Sequence, residues 1–77
     1  MFDTSKVRGR IVEKFGTIKH FSEVTGSPIS VVSRYLNTGD PLSQTTINKW
    51  AFALEIPAEE IGVYFFRLKV HETELKG

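Results

Sequence analysis

Few side chains in this sequence are equipped for chemistry. It has two histidines, His20 and His71, and no cysteine, and neither histidine stands at a metal-ligand or triad spacing from the carboxylates. Gly9, Gly16, Gly26 and Gly39 are isolated and do not form a phosphate-cradling loop. No enzyme, metal site or cofactor is therefore expected. The residues that do form a pattern lie between Pro28 and Asn37. At about 100 degrees per residue, Ser30, Ser33, Arg34 and Asn37 share one side of a helix, and Pro28, Val32, Tyr35 and Leu36 the other. Short serines let a backbone approach a base edge closely, and an arginine can fork two hydrogen bonds onto guanine. Ile29 and Val31 flank that side and suit thymine methyl groups. Taken singly, a residue such as Ile29 is more often at a core edge than a base reader, and an isolated arginine such as Arg34 is usually just solvated. Together they point to recognition of double-stranded DNA through Ile29, Ser30, Val31, Ser33 and Arg34.

Such a face needs elements to hold it. Asp3 or Ser5 caps a first helix in which Val7, Ile11 and Phe15 recur every four residues with Val12 beside them, and Gly16 ends it. Thr17 caps a second helix with Phe21 and Val24 inward, closed by Gly26. Ser27-Pro28 then reads as cap and first residue of the third helix, which runs to about Asn37. Thr38 to Pro41 is loop, and Ser43 caps a fourth helix carrying Ile47, Trp50, Ala51 and Leu54 on one face. Pro57 opens a fifth, with Glu59 and Glu60 in its first turn. Beyond it, Tyr64, Phe66, Leu68 and Val70 alternate with Phe65, Arg67, Lys69 and His71, the period of a strand. A lone strand needs a partner, so these four residues are the candidate dimer contact, with a loose acidic tail as the alternative.

Length and composition agree with one small domain. Seventy-seven residues bury only a modest core, and a hydrophobic share of 40% with 25% charged residues suits a folded globular chain. The absence of cysteine fits a reducing, cytoplasmic setting, and no apolar run has the length of a signal peptide or membrane span. Residues 1–50 hold seven lysines and arginines against four carboxylates, and residues 51–77 three against five. A basic body with an acidic rear suits a protein that turns one side to phosphates, although scattered solubilising charges would look the same.

The stretch Thr17 to Asn37, TIKHFSEVTGSPISVVSRYLN, resembles the helix-turn-helix of the phage Cro and C1 repressors in its inward Phe21, small Ser22, turn Gly26, buried Val32 and Ser33-Arg34 pair with Asn37 after it. PLSQTTINKWAFALEIPAEEI is similar to that family's last two helices, and FDTSKVRGRIVEKFGT resembles a group of short Cro-like phage proteins. The likeness covers about residues 6–66. It implies an all-α, five-helix lambda repressor-like bundle over residues 1–66, followed by a tail over 67–77. It also implies a transcriptional regulator in the bacterial host cytoplasm. By position matching, Ile29, Ser30 and Arg34 fall where the family reads bases, and Asn37, with Thr38 beside it, where it grips phosphate. Helix-start amides at Thr17 and Ser43, with Lys19, add phosphate contacts. Three positions depart from the pattern: Ile18 stands where a phosphate-touching glutamine is common, Ser22 where alanine is usual, and Ser27 where an apolar turn residue is usual.

A magnitude favours a homodimer. One bidentate base contact discriminates by about 1–3 kcal/mol, whereas specific sites exceed non-specific ones by about 4–10 kcal/mol. Arg34 offers the single such contact, so two copies on a near-palindromic operator are required. The rival reading is an antirepressor or modulator that docks on another phage regulator through Ile29, Val31, Tyr64, Phe65 and Phe66.

Overall fold

In the computed structural model, which describes residues 2–68, the chain enters its first helix through a short local cap. The Asp3 carboxylate accepts hydrogen bonds from the Ser5 amide (2.9 Å) and the Ser5 hydroxyl (2.7 Å), and α1 runs Ser5–Phe15. Val7 and Ile11 are buried and Phe15 is half-buried, whereas Val12 faces solvent. Helix α2, Ile18–Thr25, starts where the Thr17 hydroxyl accepts from the His20 amide at 3.1 Å. Its inward seam is Ile18, Phe21 and Thr25; Val24, expected inward, is 57% exposed. The three- and four-residue steps from Ile18 to Phe21 to Thr25 take the buried stripe and rotate Val24 off it. The buried Thr25 hydroxyl is satisfied by donating to the Phe21 carbonyl at 2.8 Å.

Gly26, at φ 77°, ends α2 left-handed, a conformation that glycine adopts without strain. Helix α3 is Ile29–Thr38, one residue later than the Ser27-Pro28 pair suggests. Pro28 is the exposed cap rather than a core residue, and its carbonyl accepts from the Val31 and Val32 amides. Ser27 is not the cap, because its side chain turns inward and its Oγ accepts from the buried Trp50 indole Nε1–H at 2.8 Å. A buried indole donor without an acceptor would be costly, and that demand outweighs a cap the proline carbonyl can serve. The Ser22 hydroxyl donates to the Ser27 carbonyl and holds the turn in place. The two serines that depart from the repressor pattern thus belong to one network with Trp50.

Helix α4, Gln44–Ala53, begins where the Ser43 hydroxyl accepts from the Thr46 amide at 3.2 Å, and it buries Ile47, Trp50 and Ala51, with Leu54 just past its end. Pro57 does not open a regular helix. It caps a 3-10 turn, Ala58–Glu60, which leads into the short α5, Ile61–Phe65. Among the described residues the chain forms five α-helices and one 3-10 turn, an all-α fold. An aromatic relay crosses its core: Phe15 meets Phe21 at 5.3 Å, Phe21 meets Trp50 at 5.2 Å, Trp50 meets Tyr35 at 5.6 Å, and Tyr35 meets Phe65 at 6.4 Å between ring centroids. All five helices contribute a ring.

The alternating tail resolves differently from a strand. Tyr64 and Phe65 are helical, and Phe65 is the buried one, so the inward residue comes from the opposite phase of the alternation. Tyr64 is half-buried, with the Lys6 ammonium 5.7 Å from its ring centroid. Phe66 packs edge-on against Phe2 at 5.7 Å, and Leu68 forms a single antiparallel bridge to Phe2, supported by the Asp3 amide donating to the Arg67 carbonyl at 2.7 Å. The residue paired with Leu68 thus belongs to the same chain. Val70 lies outside the described residues. The boundary between residues 66 and 67 falls inside this pairing, and the folded body continues through Leu68.

The Tyr35 hydroxyl is buried with no hydrogen-bond partner among the described residues. Burial, with the nearby Asp3 charge, pushes its pKa up to about 12. An unfolded tyrosine releases its proton near 10, so stability falls as pH rises from about 10 through 12. Tyr35→Phe keeps the ring in the relay and removes the orphan hydroxyl, whose burial costs about 1–3 kcal/mol. The variant is expected to melt at or above the parent temperature at neutral pH, and to lose less stability under alkali. A thermal melt at pH 7 and pH 11 checks both.

Candidate nucleic-acid interface

The site is one face of one helix. Val32, Tyr35 and Leu36 are buried and fix the rotation of α3. That rotation leaves Ser30, Arg34 and Asn37 exposed and Ser33 half-buried on the opposite side, so the polar residues grouped from spacing do share a surface. Ile29 and Val31 border it on opposite flanks, 50% and 40% exposed. The Asn37 amide donates to the Ser33 hydroxyl at 3.4 Å, a long bond that an incoming partner can replace. The Arg34 side chain is 75% exposed and stands 3.7 Å from the Asp40 carboxylate.

The expected phosphate contacts divide. Lys19 and Asn37 are exposed. The hydroxyls of Thr17, Thr38 and Ser43 are already engaged within the chain: Thr17 and Ser43 cap α2 and α4, and Thr38 donates to the Arg34 carbonyl at 2.8 Å. The starts of α2 and α4 still offer an anion backbone amides and the positive end of a helix dipole, and the Thr17 hydroxyl, which only accepts its capping bond, can still donate. Thr38, at the C-terminal end of α3 with its hydroxyl engaged on both sides, offers neither. Ile18 is half-buried against the core, which accounts for an apolar residue at the start of α2.

Several cations of the basic body are engaged within the fold, and Glu72 and Glu74 of the acidic rear lie outside the described residues. Arg10 donates to the Leu54 carbonyl (2.9 Å) at the end of α4 and pairs with Glu13 at 3.1 Å, and Lys14 pairs with Glu55 of the acidic segment at 3.1 Å. Arg8 donates to the Leu36 carbonyl at 3.3 Å, beside the Thr4 hydroxyl, which donates to the same oxygen at 2.9 Å. These cations tie α1 to helix ends and to acidic side chains, as lone carbonyls at helix termini invite. Arg34 is the cation on the polar face of α3 itself, and Lys19 on α2 is exposed.

Two residues of consequence escaped the sequence reading. Ser27 is a buried anchor for Trp50, a role decided by a partner 23 positions away. Asp40 sits in a segment legible only as loop. The signal that would have placed it is Gly39, which at φ 73° is the left-handed cap of α3 and returns the chain toward the helix it has just left.

Fold and site together define a small all-α protein that presents one polar helix face over a buried aromatic core. Over residues 1–68 the chain matches the DUF739 family, described as proteins of unknown function, and it belongs to that family. No curated protein matches the chain. Among the described residues, no helix is long and apolar enough to cross a membrane.

Proposed function

We propose that this chain is a sequence-specific DNA-binding regulator that reads a short, near-palindromic operator as a homodimer through α3, as do the Cro-like phage repressors it resembles. It acts in the bacterial host cytoplasm. One observation carries the reading: α3 is locked into the core by Val32, Tyr35 and Leu36 while Arg34 projects from its opposite face. Had Arg34 been covered, no side chain on that face could fork onto a guanine. Ile29, Ser30, Val31 and Ser33 supply apolar contact and close approach around it, and Lys19, Asn37 and the amides at the starts of α2 and α4 supply phosphate contacts. Phe66 and Leu68, still exposed after pairing with Phe2, are the surface left to a second copy.

A second reading has its own support. Val24, Ile29 and Val31 are exposed apolar residues on α2 and α3, as suits a modulator that docks on another regulator protein. Salt separates the two. With about six or more phosphates neutralised by a dimer, affinity for DNA flanking its own coding region should fall about a thousandfold or more between 50 and 200 mM salt. Fluorescence anisotropy over that range measures it. A salt-independent association with a regulator protein, and none with DNA, would leave the modulator reading standing instead.

A further inference from the structure

The turn after α3 gives Arg34 a counter-charge, and several local bonds build that arrangement. Gly39 ends the helix left-handed. The Thr38 hydroxyl donates to the Arg34 carbonyl at 2.8 Å and accepts from the Asp40 amide at 3.2 Å, so one side chain fixes where the next residues emerge relative to Arg34. The outcome is an Asp40 Oδ2 that lies 3.7 Å from Arg34 Nη2, with Asp40 48% and Arg34 75% exposed, at the rim of a shallow recess shared with Val31 and Leu42. At that distance the contact is a loose ion pair through one nitrogen rather than a full hydrogen bond, and solvent reaches both partners.

A guanidinium on a DNA-facing helix has two classes of competitor. Phosphates attract it everywhere along a duplex, by charge and without regard to sequence. Guanine offers two neutral acceptors in a fixed geometry at particular positions only. A carboxylate beside the guanidinium weakens the first attraction, because it cancels charge and is itself repelled by phosphate. It weakens the second less, because a directional pair of hydrogen bonds does not depend on net charge to the same degree. We propose that Asp40 is a specificity-determining residue: it holds Arg34 neutralised against phosphates and gives it up where a guanine presents both acceptors. This inference rests on the DNA reading above.

The test compares the parent, Asp40→Asn, Arg34→Ala and the double variant on a duplex from the DNA flanking its own coding region and on an unrelated duplex of equal length. Anisotropy is followed across a salt series. Asp40→Asn should tighten binding to the unrelated duplex by about fivefold, the scale of an exposed ion pair, and tighten operator binding less, so that the specificity ratio falls. Its non-specific salt slope should steepen by about one phosphate contact per subunit. In the Arg34→Ala background the same change should leave the ratio unaltered. An unchanged ratio in Asp40→Asn, with the parent reading the operator, overturns the role of Asp40 and leaves the DNA reading intact. A ratio that changes without Arg34 overturns it equally, since the effect then bypasses the guanidinium. If neither the parent nor Asp40→Asn binds any duplex, the DNA reading fails and this inference with it.

Discussion

Replacing Trp50 with alanine is expected to abolish cooperative folding or to lower the melting temperature by at least about 12 °C. Trp50 is fully buried at the middle of the aromatic relay, edge-on to both Phe21 and Tyr35. Its indole N–H also holds Ser27 and, through it, the turn between α2 and α3. Truncation of a buried tryptophan costs about 3–5 kcal/mol, and each kcal/mol moves the midpoint of a domain this size by about 4–8 °C. A chain of this length has a total stability of roughly 4–12 kcal/mol, so the loss consumes a large share of it. Circular dichroism at 222 nm against temperature measures the effect. A cooperative melt within a few degrees of the parent would show that the cavity collapses at little cost and that the relay does not organise the core.

The second large effect is expected at Arg34 and is confined to recognition. Arg34→Ala removes a solvent-exposed side chain whose ion partner is half-exposed, so the melting temperature should stay within the range of ordinary surface substitutions, about 0.5 kcal/mol either way. If the protein reads DNA as proposed, the ratio of operator to non-specific affinity falls by about 5- to 150-fold for each half-site, because the side chain is the one bidentate base reader on α3. Competition binding with unlabelled operator and unrelated duplex measures the ratio. Retention of operator preference would move the reading surface away from this helix face.

The contrast between these two variants follows from where each side chain points, and spacing alone predicted much of that. Val32, Tyr35 and Leu36 recur at helical intervals and are buried; Ile47, Trp50, Ala51 and Leu54 do the same. Caps were equally legible, because Thr17 and Ser43 bind amides only three residues ahead. Where local signals competed, position in the chain was not enough. Val12 and Val24 had apolar neighbours at plausible spacings and lie outside the buried stripe. The alternation of residues 64–71 has the period of a strand, yet Phe65 closes the core as the last ring of the relay, and a helical turn is what delivers it.

The sequence by itself determined the all-α class, the first four helices to within a residue or two, and the polar composition of the α3 face, since each depends on residues within a turn or two of one another. Tertiary structure alone decided that Ser27 serves Trp50, that Arg10 and Lys14 spend their charge on the end of α4 and on Glu55, and that Asp40 stands against Arg34. The physical reason is range. A capping bond or a helical stripe is settled by neighbours a few residues apart, whereas the partner of a buried donor or of a cation is whichever group the packed chain brings near. That partner lies 23 residues away for Trp50 and 44 for Arg10.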